Sequence, residues 1–217
     1  MILHLSGVLS PAELKAVQET ALATTFSDGK STAGAAAADV KHNEQAVGRE
    51  VDGALALVQK RLMDNDIFRQ AARPAAFARL LLSRYTTGMH YGSHVDAPVI
   101  AGSRADISFT LFLSPADRYR GGELVIEDAS GDRAWKLDAG DMLLYPATYL
   151  HRVNAVEHGE RLAVVGWVTS HVRLAHHREL LFELGQAMQE EFQGRGKTRL
   201  YDRLSRVQNN LAREWTV

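Results

Sequence analysis

The stretch Arg84-Tyr85-Thr86-Thr87-Gly88-Met89-His90-Tyr91-Gly92-Ser93-His94-Val95-Asp96 ends in His-x-Asp. Side chains on an extended strand alternate between faces, so His94 and Asp96 point the same way and can reach one point together. They offer it one imidazole nitrogen and one hard carboxylate oxygen. Two more ligands would close a structural tetrahedral site. One more histidine would make a face of two imidazoles and a carboxylate with open positions, the arrangement suited to non-haem Fe(II) oxygen chemistry.

Among nine histidines, His151 stands out by context. It follows the turn Gly140-Asp141 and the apolar run Met142-Leu143-Leu144-Tyr145-Pro146, and it begins the next strand. Arg161 lies beyond a tight turn at residues 157–160, and antiparallel pairing of those two strands predicts that it sits within a substrate's length of His151. Ala163, Val165 and Trp167 share the face of Arg161. An inward-facing arginine among such neighbours needs an anion, because a buried unpaired charge is costly, and a bidentate carboxylate is its natural mate. Fe(II) on His94, Asp96 and His151 would leave room for a 2-oxo acid, chelating through its carboxylate and keto oxygens, and for O2. The far carboxylate of 2-oxoglutarate would then pair with Arg161.

These side chains need elements to carry them. Ser10-Pro11-Ala12-Glu13 opens a helix with a capping box and proline at its first position, predicted to run to about residue 26. Residues 27–46, rich in Gly, Ala, Ser and Asp, read as a surface loop. Val51, Leu55, Val58 and Leu62 recur at helical spacing, and Pro74 ends that region. From there the period changes. Strands are predicted at residues 77–85, 105–113, 123–127, 134–137, 142–146, 151–156 and 161–169, separated by turn signals, as in an all-β sandwich or barrel with helices over one face. In the second of these strands, Thr110 and Phe112 face inward if Ile107, Phe109 and Leu111 pack on the helices; parity alone leaves both faces open. His90 and Trp167 read as structural, His158 as a turn residue, and His176 and His177 as the start of a helical tail. That tail carries Leu181, Leu184 and Met188, then Leu200, Leu204, Val207, Leu211 and Trp215.

Taken together, Tyr85-x-x-Gly88-x-x-Tyr91-x-x-His94-x-Asp96, Gly121-Gly122-Glu123-Leu124, Gly140-Asp141, His151, Gly159-x-Arg161 and Trp167 resemble the prolyl-hydroxylase branch of the Fe(II)/2-oxoglutarate dioxygenases. Within it the chain is most similar to the bacterial PKHD-type hydroxylases associated with iron uptake, from about residue 2 through the helical tail. The resemblance implies a mainly β chain with flanking helices. Its core would be a double-stranded β-helix (jelly roll), with covering N-terminal helices and a C-terminal helical tail. It divides the chain into an oxygenase domain over residues 1–173 and an extension over 174–217. It further implies Fe(II), 2-oxoglutarate and L-ascorbate as cofactors, and release of succinate and CO2 as an unactivated C–H is hydroxylated. His94, Asp96 and His151 would bind the iron and Arg161 the co-substrate. Tyr85 either contacts the co-substrate or packs as a strand aromatic. Collagen-type prolyl hydroxylases carry lysine where Arg161 stands, a departure that bears on a procollagen-like substrate.

Composition sets the outer bounds. With 25 basic and 26 acidic side chains among 217 residues the net charge is −1, so no global field draws the chain to nucleic acid or a membrane surface. The absence of cysteine excludes disulfides, thiolate nucleophiles and Cys-ligated clusters, and fits a cytoplasmic location. No targeting segment and no membrane-spanning run is read from the sequence. The expected partners are O2 and a small-molecule or peptide substrate, and the tail packs either on its own barrel or on a neighbour's in a homo-oligomer. Two other functions fit the same residues. One is a cupin-like metal enzyme that does not use 2-oxoglutarate; the other is a non-enzymatic iron or small-molecule sensor.

Overall fold

In the structure, a computed structural model describing residues 1–32 and 34–217, local sequence signals set most element boundaries. The chain runs β1 (Leu3–Leu5), α1 (Pro11–Ala23), β2 (Thr25–Asp28), α2 (Ala35–Asp39), β3 (Lys41–His42), β4 (Glu44–Val47), α3 (Asp52–Asp64), α4 (Asp66–Ala72) and β5 (Pro74–Tyr85). It continues through β6 (His90–His94), β7 (Val99–Ile100), β8 (Ser103–Arg104), β9 (Ile107–Phe112), β10 (Arg120–Gly121), β11 (Leu124–Asp128), β12 (Gly131–Trp135), β13 (Met142–Pro146), β14 (Leu150–Val153), β15 (Val156–His158) and β16 (Arg161–Ser170). Two helices, α5 (Ala175–Arg195) and α6 (Arg199–Trp215), close it.

Ser10 and Glu13 form the capping box that starts α1, but the helix stops at Ala23, where Thr24 turns extended and the chain enters β2. The helical region before Pro74 is two helices. Asn65 is extended, and its side chain accepts from the Phe68 amide at 2.9 Å, so it ends α3 and caps α4.

The strands form a seven-stranded sheet in the order β1-β13-β9-β16-β5-β4-β2 and a five-stranded sheet in the order β12-β11-β14-β6-β3. The two face each other as a double-stranded β-helix, with Tyr85, Phe112, Leu143 and Tyr145 of the large sheet packed on Leu124, Ile126 and Val153 of the small one. The outer face of the large sheet, through Ile107, Phe109, Leu111, Leu162, Val164 and Val168, packs on the helices through Val17, Val58, Leu62, Phe68 and Phe182. Every residue of β9 is therefore buried, apolar ones on one face and Ser108, Thr110 and Phe112 on the other.

Residues 27–46 depart from the surface loop predicted for them. β4 pairs with β5 in the large sheet and β3 pairs with β6 in the small one, so this segment joins the two sheets along one edge. Strands this short carry too few alternating positions to register as a period. The tail packs on the chain's own body: Arg178 donates to the Val172 and Asp106 carbonyls at 2.9 and 3.3 Å, and Gln186 donates to Gln70 at 3.1 Å. Among the described residues, no helix is long and apolar enough to cross a membrane.

Candidate active site

β6 and β14 run antiparallel with His94 and His151 as direct cross-strand partners. Such partners lie close on one face of a sheet, and the two rings sit 4.3 Å apart between centroids. Asp96 lies just past the end of β6. Ser108, from β9 of the opposite sheet, holds it by donating to Oδ2 at 2.5 Å. One ligand atom from each of His94, Asp96 and His151 then falls within 4.8 Å of the others.

Backbone carbonyls orient both imidazoles. Nδ1 of His94 lies 2.8 Å from the Gly92 carbonyl oxygen, and Nδ1 of His151 lies 3.0 Å from that of Tyr149. With the proton on Nδ1, each ring presents a free Nε2 lone pair to the centre, as a metal ligand requires. Burial, and the neighbouring His151 ring, hold His94 down at about 4, so at neutral pH it is the uncharged, ligating form. Tyr91 stacks on His94 at 3.6 Å and Tyr145 meets His151 edge-on at 5.3 Å, fixing the rings from behind.

Arg161 opens β16 and pairs with Tyr85 of β5. It is 1 % exposed, and Nε and both terminal nitrogens lack a hydrogen-bond partner. The rings of Tyr85 and Phe112 each lie 5.2 Å from its guanidinium carbon. Gly122, at φ +70°, leaves the space the arginine stem fills, since a Cβ there would stand 3.1 Å from Arg161 Cδ and 3.0 Å from the Tyr119 ring. Aromatic faces attract a cation but leave its N–H donors unused. A buried guanidinium without an anion is unfavourable by several kcal/mol, on the order of 3–5 when a partner is removed, so these donors fit a bound carboxylate.

His94, Asp96, His151, Arg161, Tyr85, Ser108, Thr110 and Trp167 all line one cavity of about 380 Å³. Tyr85 is buried in the core between the sheets and also lines the cavity, where burial keeps its phenol protonated. Arg161 shares the cavity with His151, but by another route than the antiparallel pairing predicted. β14 pairs with β11 and β6, whereas β16 pairs with β9 and β5, so the two residues approach from opposing sheets. Residues 157–160, predicted as a turn with His158 in it, instead begin within β15, where His158 pairs with Arg120 of β10, and the chain crosses between layers just after it. His90 faces away and meets His42 edge-on at 5.8 Å, while His177 stacks on Trp215 at 3.9 Å. Ser108 was missed in the sequence because the parity of its strand was ambiguous. Lys41, Asn43 and Gln45, which also line the cavity, were missed because their segment read as a loop.

The donor set fits a divalent ion of the iron type, and the orphaned guanidinium fits a dicarboxylate that reaches across from it. Residues 80–169 match the family described as the 2OG-Fe(II) oxygenase superfamily. The chain is 47% identical over 216 residues to a PKHD-type hydroxylase from Idiomarina loihiensis, covering 100% of this chain and 99% of that one. It is 48% identical over 219 residues to a PKHD-type hydroxylase from Parvibaculum lavamentivorans, covering 99% of each. In fold it is similar to the crystal structure of a Pseudomonas putida prolyl-4-hydroxylase, with a TM-score of 0.56 at 17% identity over 78% of this chain and 92% of that one.

Proposed function

Because the chain belongs to the PKHD-type hydroxylases, within the 2OG-Fe(II) oxygenase superfamily, we propose that His94, Asp96 and His151 hold its Fe(II) and that Arg161, flanked by Tyr85, holds its 2-oxoglutarate. The enzyme is a 2-oxoglutarate-dependent hydroxylase that uses Fe(II), O2 and an organic substrate. Bound together, iron and co-substrate supply the oxidising power that hydroxylates an unactivated C–H as 2-oxoglutarate becomes succinate and CO2.

The protein's part is positional. The Gly92 and Tyr149 carbonyls keep each imidazole's lone pair on the centre. Ser108 holds the Asp96 carboxylate in place from the opposite sheet. Arg161, set between the rings of Tyr85 and Phe112, would hold the far carboxylate and so orient the co-substrate towards His94, Asp96 and His151. Apolar walls from Leu124, Val153 and Val165 keep water from the reacting atoms.

One observation carries this reading: the three unpartnered nitrogens of Arg161 share a cavity with the two imidazoles and the carboxylate. Purified protein supplied with Fe(II), 2-oxoglutarate and O2 is expected to release succinate slowly even without its primary substrate. Omitting Fe(II) or O2 should stop the release. Succinate formation that persists without iron would contradict the reading.

The proposal extends to L-ascorbate as the reductant that keeps the iron ferrous, to a small molecule or peptide as primary substrate, and to a cytoplasmic role in iron uptake or homeostasis. The near-zero net charge supports action on neither nucleic acid nor membrane. Residues 1–173 form the oxygenase unit in this reading and 174–217 an extension. The exposed Phe192, Leu200 and Val207 of that extension support a homo-oligomer built through it.

A further inference from the structure

The cavity carries a second buried cation that the chemistry above does not use. Lys41, on β3, is 5 % exposed and lines the cavity with Asn43 and Gln45. Its Nζ donates to Thr32 Oγ1 at 2.9 Å, and that hydroxyl donates in turn to Gln45 Oε1 at 2.7 Å. Asn43 is 3 % exposed, with Oδ1 unpartnered. Among the described residues no carboxylate stands within salt-bridge distance of Lys41; Asp28 and Asp96 act on it from farther away. Lysines this deeply buried are normally paired. Burial pulls Lys41 down to about 8, so near neutral pH it still carries its proton.

Its position relates it to the metal centre rather than to the co-substrate grip. Nζ lies 5.1 Å from the centre of the Tyr91 ring, which stacks on His94. Lys41 thus stands one aromatic ring away from that imidazole, on the edge of the small sheet, while Arg161 rises from the large sheet. The charges of a divalent ion, one aspartate, a dianionic co-substrate and one guanidinium cancel. Lys41 remains as unbalanced charge within the cavity, and Arg79, exposed at its mouth, adds to it.

We infer that Lys41, with Asn43 and Gln45 beside it, anchors the primary substrate, and that this substrate carries a carboxylate. The inference rests on the proposed assignment of His94, Asp96, His151 and Arg161 to iron and 2-oxoglutarate. The ammonium pairs with the substrate carboxylate, the unpartnered Oδ1 of Asn43 accepts from a donor elsewhere on the substrate, and the C–H to be hydroxylated lies on the far side of Tyr91 from that anchor. A cavity of about 380 Å³ suits a small molecule or one residue of a peptide more than a large ligand. The carboxylate can be a main-chain terminus or an aspartate-type side chain.

The test uses the full chain loaded with Mn(II) and 2-oxoglutarate without O2. N-acetylglycine and N-acetylproline present a main-chain carboxylate, and the α-amide of N-acetylaspartate presents a side-chain one. Each is titrated against its uncharged primary amide, with binding read from paramagnetic broadening of the acetyl methyl signal. At least one acid is expected to bind about tenfold or more tightly than its amide, the factor a single charge-assisted contact supplies. Whichever arm binds names the source of the carboxylate. Lys41→Met and Lys41→Gln should abolish the preference, Lys41→Arg should keep it, and all three should still bind 2-oxoglutarate, which also reports that they are folded. Equal binding of acid and amide by the unmodified protein overturns the inference. So does a preference that survives Lys41→Met, or a Lys41→Met variant that loses 2-oxoglutarate as severely as Arg161→Ala. Failure of the unmodified protein to bind 2-oxoglutarate would instead strike the assignment beneath it; the acid-to-amide comparison is then read with Mn(II) alone and still decides the role of Lys41.

Discussion

Ser108 joins the two sheets at the proposed metal centre, since its hydroxyl reaches from β9 to Asp96 beyond β6. A partner of this kind fixes the orientation of a ligand, and losing one weakens metal affinity by roughly 10- to 100-fold. Ser108→Ala is therefore expected to bind Fe(II) about 10- to 100-fold more weakly by anaerobic titration while folding normally; unchanged affinity would show that Asp96 needs no such restraint. His94, Asp96, His151 and the burial of Arg161 could be picked out in the sequence, but not for every reason that parity and pairing offered: Asp96 lies beyond β6, where strand parity no longer places it, and β14 and β16 belong to different sheets. Ser108 could not, because a strand buried on both faces gives no sign of which face meets a cavity. Lys41 was hidden for another reason: its burial depends on which strands flank it, and two-residue strands leave no periodic trace.

At the scale of elements, β5, β9, β11, β13, β14 and β16 followed from turn residues and alternation, and α1 from its capping box, while β6, which carries His94, and the shortest strands did not. The break between α3 and α4 did not, although its cause is a single residue. Asn65 is extended, ends one helix and caps the next, and so lets Phe68 turn into the core against Phe77. A helical period runs through such a break when both helices present their apolar face to the same sheet. Asn65→Ala is expected to destabilise the protein by about 1 kcal/mol, within the ~0.5–2 kcal/mol span of cap deletions. Chemical denaturation should show the loss with an unchanged slope, and a change within error of zero would mean that Phe68 alone holds α4 in place. The segment 27–46, predicted as a loop, is the other correction at this scale. By pairing with both sheets it forms an edge of the cavity, which turns an unassigned stretch into the wall bearing Lys41.

At the scale of the whole molecule, the jelly roll brings together residues from opposing layers that no single strand could assemble. Burying His94 beside His151 carries a measurable signature. In the metal-free protein His94 is held at about 4 against an ordinary 6.5. Between those values the unfolded chain binds a proton that the folded protein refuses. The contribution of His94 to stability is thus complete above about pH 6.5 and is lost as pH falls towards 4. The melting temperature of the metal-free protein should decline through that window more steeply than that of His94→Gln, and parallel declines would show that protonation of His94 is not the cause. The most direct test of the central assignment is an anaerobic titration of the Fe(II)-loaded protein with 2-oxoglutarate, followed by the visible charge-transfer absorption of the chelate. The unmodified protein should develop that absorption. Arg161→Ala should need roughly 10- to 100-fold more co-substrate to reach it, as expected for losing a charge-assisted pair worth about 1.5–3 kcal/mol. A variant that saturates at the same concentration as the unmodified protein would remove Arg161 from the site and the account with it.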